Sequence, residues 1–121
     1  MSVRETSEKP AAMAHFPDGR YRWFVLHLQG EPYGWAAIAE NGADLELHLT
    51  LDHWGPSVRR HVRGDLEWLK GEARRLGKER IVGMRIDTEG KFSPELFRFA
   101  GLFGFRDRVV LQTVALDLEE Q

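Results

Sequence analysis

Cysteine is absent from all 121 residues of the sequence. Its absence excludes disulfides, thiolate catalysis and zinc sites built from cysteine, and it is compatible with a reducing compartment. Long hydrophobic runs are also missing, because no apolar stretch approaches the roughly 20 residues that span a bilayer. The first residues are charged and lack the apolar run of a secretory signal. We therefore expect a cytoplasmic protein without a membrane partner.

A strong excess of charge of one sign is missing too, since the formal net charge is -2 with 30% charged residues. Proteins bind nucleic acid through a surplus of lysine and arginine. The near-neutral net charge therefore argues against a nucleic-acid partner, although a local basic patch could still form. Apolar residues make up 42% of the chain, which is typical of a globular protein. The length suits one domain.

Several motifs of known chemistry do not occur. No serine lies in a nucleophile-elbow pattern, and no glycine-rich loop has the Walker spacing. The pair Asp52-His53 and the more distant His61 could suggest a metal, but no third ligand has a convincing spacing. We therefore expect no metal site.

The first half of the chain reads as strands. Residues 1–20 contain prolines and a turn signal, so we expect a weakly structured segment there, followed by a single domain over residues 21–121. Three segments predict an antiparallel meander: 21–29, 33–40 and 43–52. Asn41-Gly42 predicts a type I′ turn between the last two. In the third strand, leucines alternate with polar residues, which predicts one polar face.

The second half adds helices. An apolar stripe at steps of three and four predicts a long helix that ends at Gly77, with these residues facing a sheet: Val58, Val62, Leu66, Leu69, Ala73 and Leu76. A strand over 80–87 would then lie parallel to the preceding strand. A short helix from Ser93 to about Phe103 and a final strand over 108–118 follow. The predicted fold class is α/β, or α+β by stricter labels, with a mixed sheet.

This order of elements, with Gly34 before an apolar strand, the central strand at Leu45–Leu51 and the terminal Gly104-Phe105, resembles the acyl-CoA-binding core of the GNAT superfamily of N-acetyltransferases. The resemblance covers about residues 21–118 and is that of a short, divergent member, such as occur in bacterial and phage genomes. It implies a mixed sheet whose central strand splays from its parallel neighbour, with acyl-CoA in the gap. Acetyl-CoA would be the acyl donor, and an amine, on a small molecule or a protein, the acceptor.

The resemblance also places the loop that wraps the cofactor's pyrophosphate at Pro56–Val62, where the family has glycines and this chain has arginines. Charged side-chain contacts could replace close backbone contacts to phosphate, or these residues could form a solvated helix face in a protein that has lost cofactor affinity. Three arginines at a helix start are unfavourable to the helix dipole without an anion, which favours the first interpretation. The implied cofactor-binding residues are Leu49, Leu51, Val58, Arg59, Arg60, His61, Val62 and Arg63.

Acyl transfer to an amine needs a base and a donor that polarises the thioester carbonyl. Glu46 and His48 lie two residues apart on the polar face of the central strand, and the resemblance turns this face toward the acceptor. The donor would be a backbone N–H near Leu51. The alternative is that both side chains only solvate an exposed sheet face. The tyrosine that many family members use as a general acid is replaced by Ala100.

Two functions remain open from the sequence. The first is a compact acyl-CoA-dependent N-acyltransferase. The second is a catalytically inactive GNAT-shaped protein that works as a protein-binding module. Residues 1–20 are too short for the two helices that usually complete the acceptor site, which would leave that side open. A second copy in a homodimer could complete it, or it could be an interaction surface that exposes Tyr21, Trp23 or Tyr33.

Overall fold

The computed structural model describes residues 3–52, 55–85 and 94–118. The chain divides into two compact units, residues 1–84 and 85–121, which are described separately. The elements of the first unit are β1 (Val3–Thr6), a 3₁₀ helix (Ala11–Met13), β2 (Arg22–Leu28), β3 (Glu31–Asn41), β4 (Asp44–Leu51), α1 (Pro56–Arg75) and β5 (Arg80–Gly83). Among the described residues, no helix is both long and apolar enough to cross a membrane.

The five strands form one mixed sheet in the order β1-β2-β3-β4-β5. The first four pair antiparallel, and β5 pairs parallel to β4 after the chain has crossed over through α1. A parallel pair requires such a crossover, because a short turn cannot return the chain to the same end of the sheet. The predicted α/β fold class, with an antiparallel meander followed by a β-α-β unit, is confirmed.

The predicted type I′ turn at Asn41-Gly42 is displaced by one residue. Asn41 pairs with Asp44, so Gly42 and Ala43 are the central turn residues. Of these two, only Gly42 has a positive φ, at 59°. A positive φ at the first central position alone is the pattern of a type II′ turn, for which glycine at that position is favoured.

One face of the sheet packs against α1. The core there joins strand residues to the apolar stripe of the helix, with Phe24, Ile38 and Leu47 of the sheet buried against Leu69 and Ala73. The leucines of β4 alternate toward this face as predicted, and the helix stripe is confirmed. Gly77 follows the last turn of α1 with φ 74°, a conformation that favours glycine at a helix end.

The other face of the sheet is covered by the N-terminal segment. Met13 and Trp23 are buried there at 0% and 8% exposure, and Phe16 and Tyr21 pack against them. The expectation of weak structure over residues 1–20 does not hold for β1, because the edge of the sheet supplies hydrogen-bond partners for its backbone. Trp23 and Tyr33 are buried and do not form an exposed interaction surface.

The second unit contains α2 (Pro94–Gly101). Turns over 102–104 follow, and the Phe105 N–H donates to the Ala100 carbonyl at 3.1 Å. Gly104 has φ 91°, as a chain reversal after a helix requires. The strand predicted over 108–118 is not present in the described part of the second unit, where these residues have no regular secondary structure. Alternation and β-branched residues favour a strand, but only a pairing partner makes one.

Candidate active site

The first part of the site is the stretch of β4 that extends beyond its described ladder with β5. The ladder between them covers Asp44–Leu47 of β4, and the Met84 N–H adds one hydrogen bond to the Leu47 carbonyl at 2.9 Å. On the other side of β4, the Asp52 N–H donates to the Tyr33 carbonyl at 2.8 Å. Successive residues of a strand alternate their hydrogen-bonding direction, so the peptide groups of Leu49 and Leu51 face the β5 side. Among the described residues, the ladder with β5 does not reach them.

The second part is the N-terminus of α1. The helix begins at Pro56, so the predicted pyrophosphate loop over 56–62 is its first two turns and not a loop. The Arg59 N–H donates to the Gly55 carbonyl at 2.9 Å, which leaves the N–H groups of Ser57 and Val58 ahead of the first intrahelical bond. No acidic residue lies in the first turn. The positive end of the helix dipole is therefore not balanced by a carboxylate in the first turn.

The predicted cofactor-binding side chains divide into two groups. Arg59, Arg60 and Arg63 are exposed on the first two turns of α1. Val58 and Val62 are 3% and 2% exposed, so their side chains belong to the core and only their backbone groups could reach a ligand. The rest are partly buried: Leu49 packs against the core, Leu51 lies against Gly34, and the His61 ring lies edge-on to Tyr33.

The third part is a buried carboxylate on β4. Glu46 and His48 point to the face opposite α1 and are each 4% exposed. The Glu46 carboxylate accepts hydrogen bonds from the Arg20 guanidinium at 2.7 Å and the Tyr21 hydroxyl at 2.9 Å, and it lies 2.6 Å from His48 Nε2. An ionised carboxylate only accepts, so we assign the proton between them to His48 Nε2.

These contacts keep Glu46 ionised. Burial alone would raise the pKa of Glu46, but hydrogen bonds from Arg20, His48 and Tyr21 outweigh it and hold this pKa below its ordinary value. The pKa of the Tyr21 hydroxyl is raised, first by burial and then by its hydrogen bond to Glu46. The cluster thus contains one ionised carboxylate, that of Glu46, and the Arg20 guanidinium balances its negative charge.

Aromatic rings seal this cluster from the N-terminal side. Phe16 and Tyr21 meet the His48 ring edge-on, with centroids 4.9 and 5.5 Å away. The two sequence interpretations placed Glu46 and His48 either on an open acceptor surface or on an exposed sheet face. In the structure both side chains are covered, so neither placement is correct. Arg20, whose side chain is 46% exposed, is the most exposed member of the cluster and connects it to solvent.

A second buried polar pair lies on the α1 side of the sheet. The register of β2 and β3 shifts between Leu26 and His27, which leaves Tyr33 as an extra residue in β3. Its hydroxyl donates to the Asp65 carboxylate of α1 at 2.5 Å. Burial and then the carboxylate raise the pKa of Tyr33 far above its ordinary value. This bond connects α1 to the part of the sheet beside Leu51.

Sequence reasoning missed Arg20 and Asp65, and it named Tyr21 only as part of an exposed interaction surface, whereas its hydroxyl donates to Glu46. Tyr21 has the same strand parity as Trp23, so alternation could have placed it on the face of Glu46 and His48. Asp65 falls on the apolar side of α1, where an acidic residue needs a partner. Neither signal identifies the partner, because Tyr21 and Glu46 are far apart in sequence and meet only through the sheet.

The comparisons with known proteins concern the fold. No protein-family model matches the sequence, and none of the curated proteins matches it. The structure is similar to that of an aminoglycoside acetyltransferase from an uncultured soil metagenomic sample, with a TM-score of 0.58 at 15% identity over 88% of this chain and 80% of the other. It is also similar to glucosamine-6-phosphate N-acetyltransferase from Arabidopsis thaliana, with a TM-score of 0.51 at 11% identity over 81% of this chain and 68% of the other. At such identities the likeness establishes a shared fold.

Proposed function

We propose that this protein is a GNAT-type N-acyltransferase that moves an acetyl group from acetyl-CoA to an amine. The observation that carries the proposal is that, in the described part of the chain, the β4–β5 ladder ends at Leu47. The peptide groups of Leu49 and Leu51 face the β5 side beyond that point, in a fold shared with acetyltransferases. The acceptor, a small molecule or a protein, and a cytoplasmic location belong to the same proposal.

The residues at the start of α1 fit the anionic part of acetyl-CoA. Helix N-termini bind phosphate through free N–H groups, and those of Ser57 and Val58 precede the first intrahelical bond. Arg59 and Arg60 are exposed on the same turn, where they are unfavourable to the dipole unless an anion lies nearby. Guanidinium groups bind phosphate in a bidentate manner, so these side chains would replace the glycine loop.

The chemistry requires a carbonyl donor, and β4 offers one. When bound, acetyl-CoA supplies the acyl group as a thioester. The N–H of Leu51 faces the side on which the family holds the pantetheine arm, and a backbone donor there would stabilise negative charge on the carbonyl oxygen. Because this donor is fixed by the strand, it needs no rearrangement during the reaction.

A base is also required, and the contacts within the cluster favour His48 over Glu46. Glu46 carries a lowered pKa and is saturated with hydrogen bonds, which makes it a weak base. Its carboxylate instead orients His48 through Nε2, as a carboxylate orients the histidine of a catalytic pair. His48 would then take the proton through Nδ1 once the acceptor displaces the covering residues. Glu46 is a positioning residue in this arrangement.

The alternative is a GNAT-shaped protein-binding module without catalysis. One observation favours it: Glu46 and His48 are buried beneath Phe16, Tyr21 and Arg20, so the acceptor side is closed in this structure. A module that never binds acetyl-CoA would have no need to open. The two functions therefore differ first in cofactor affinity.

Calorimetric titration with acetyl-CoA separates them. We expect a dissociation constant in the micromolar range, and loss of at least tenfold in affinity in the Arg59→Ala/Arg60→Ala variant. The matched control is Arg4→Ala/Arg74→Ala, which removes the same charge from β1 and from the far end of α1 and should bind normally. If no binding is seen at millimolar acetyl-CoA, the proposed enzymatic function is overturned and the binding-module function remains.

If the cofactor binds, His48→Gln and Glu46→Gln test the assignment of the base. Both should slow acetyl transfer to an amine, measured by release of free thiol, without weakening acetyl-CoA binding. Removal of a general base typically costs about 100-fold or more in rate. Transfer at an unchanged rate in His48→Gln would exclude this histidine as the base.

A further inference from the structure

A short loop contributes to the cover over the cluster of Glu46 and His48. We call residues 14–19, which lie between the 3₁₀ helix and β2, the flap. Its Phe16 ring meets the His48 ring edge-on with the centroids 4.9 Å apart, and it meets the Tyr21 ring at 5.3 Å. His48 is 4% exposed beneath these rings. A molecule that reacts with His48 must therefore first displace part of this cover.

The backbone of the flap is held by few hydrogen bonds. The Phe16 N–H donates to the Met13 carbonyl at 3.0 Å, and among the described residues this is the last backbone hydrogen bond before β2. Met13, just before the flap, is fully buried. Gly19, at its other end, has φ 84°, a conformation that glycine adopts without strain. Segments with few backbone hydrogen bonds between fixed ends are those that open locally in a folded protein.

One lysine connects the flap to the sheet. The Lys9 ammonium donates to the Phe16 carbonyl at 2.5 Å and lies 2.7 Å from the Asp18 carboxylate, so it binds two residues of the flap. The same ammonium lies 5.7 Å from the centroid of the Trp23 ring, within the range of a cation–π contact. Trp23 belongs to β2 and is buried. Lys9 therefore joins a loop with little backbone support to a fixed strand.

Movement of the flap alone would leave the cluster intact. Arg20 and Tyr21 follow the flap in sequence, and they donate to the Glu46 carboxylate at 2.7 and 2.9 Å. His48 Nε2 lies 2.6 Å from the same carboxylate. None of these contacts involves a residue of the flap, so Phe16 can leave His48 while Glu46 still orients the imidazole.

We propose that the flap is a gate over His48 that Lys9 holds closed. Release of the Lys9 ammonium from the Phe16 carbonyl and the Asp18 carboxylate frees the flap to turn away from the sheet, which admits a small molecule to the imidazole. That this molecule is the amine acceptor rests on the proposed function. The gate itself does not, because its contacts include no group of the proposed acetyl-CoA site.

Chemical modification of histidine tests the gate without acetyl-CoA or an acceptor. Diethyl pyrocarbonate modifies accessible imidazoles, and peptide mass spectrometry gives the rate at each histidine of the full chain. We expect slow modification of His48 in the wild type and a rate at least about tenfold higher in Lys9→Met, which keeps an apolar side chain but loses the hydrogen bond and ion pair of the ammonium.

The matched control is Lys78→Met. The Lys78 ammonium also contacts a carboxylate and a carbonyl, those of Glu40 at 2.9 Å and Gly42 at 2.8 Å, but it does so at the turn between β3 and β4. Its loss should leave the rate at His48 unchanged. Phe16→Ala is a second test, because it removes the covering ring while Lys9 remains, and it should also raise the rate at His48.

Each of the following results would overturn the gate. His48 could react in the wild type as fast as in the urea-unfolded chain, or at the same rate in Lys9→Met as in the wild type. The rate at His27 of β2 could rise in Lys9→Met as much as that at His48, which would mean that the sheet opens and not the flap. In the wild type, amide hydrogen exchange over residues 16–19 could be as slow as over β2, whereas a gate requires it to be faster.

Discussion

Replacing Gly34 with alanine would place a methyl group in space that β4 already occupies. A Cβ built on Gly34 lies 2.8 Å from Leu51 Cδ2 and 2.8 Å from the Thr50 carbonyl oxygen. The leucine methyl could rotate away, but the carbonyl belongs to the backbone of a paired strand. We therefore expect the β3–β4 ladder to shift at Leu51.

The expected cost follows from that geometry. Overpacking a tight site typically costs about 1–3 kcal/mol, and the gain in strand propensity from glycine to alanine offsets only part of it. The shift falls on Leu51, which the proposed function uses for its backbone donor. Acetyl-CoA binding should thus weaken together with the free energy of unfolding.

Urea denaturation measures this change, with Gly71→Ala as the control. Gly71 lies within α1, and a Cβ there meets nothing within 4 Å. The same substitution should stabilise the helix by about 0.5–1 kcal/mol. Equal free energies of unfolding for Gly34→Ala and the wild type would refute the close approach of β3 and β4 at this point.

Two further predictions concern polar contacts between side chains. Tyr33→Phe should lower the free energy of unfolding by about 1–3 kcal/mol, because buried Asp65 loses a hydrogen-bond donor; an unchanged urea midpoint would contradict it. Glu72 has its pKa lowered to about 2, first by its hydrogen bond from Arg75 and, against burial, by that from Arg22. The ionised Glu72 side chain stabilises the folded state above its ordinary pKa of 4.5, and this stabilisation is lost as the pH falls toward 2. Wild type and Glu72→Gln should therefore differ in free energy of unfolding by about 1 kcal/mol at pH 7. In acid titrations followed by circular dichroism, this difference should shrink over that pH interval. A difference that is independent of pH would contradict the assignment.

The sheet and its helix could be predicted because each buries one face. The leucines of β4 repeat every second residue and the stripe from Val58 to Ala73 repeats at helical spacing, so both elements carry their period in the sequence. The turn at Gly42 was displaced by one residue, since Asn-Gly indicates a turn but the register of the ladder sets its centre.

The candidate site could be predicted only in part. The spacing of Glu46 and His48 puts them side by side on one face, which any strand would do. Their burial under Phe16, Tyr21 and Arg20 depends on how a distant segment folds back, and no local pattern records that. The buried carboxylate is a tertiary feature of the chain.

The strand predicted over 108–118 shows that local sequence preference alone does not produce a strand. Its alternation and its valines are typical of a strand, yet these residues have no regular secondary structure in the described part of the second unit. The local preference is real, but a strand gains its stability from cross-strand contacts.

The central claim is that acetyl-CoA binds where β4 passes β5, beside the start of α1. Backbone amide chemical shifts, recorded while acetyl-CoA is added to the ¹⁵N-labelled protein, test it at the level of residues. We predict the largest changes at Leu49, Leu51, Ser57 and Arg59, with little change at Gly71 on the far half of α1. Changes that cluster elsewhere, or no changes at millimolar acetyl-CoA, would contradict the account.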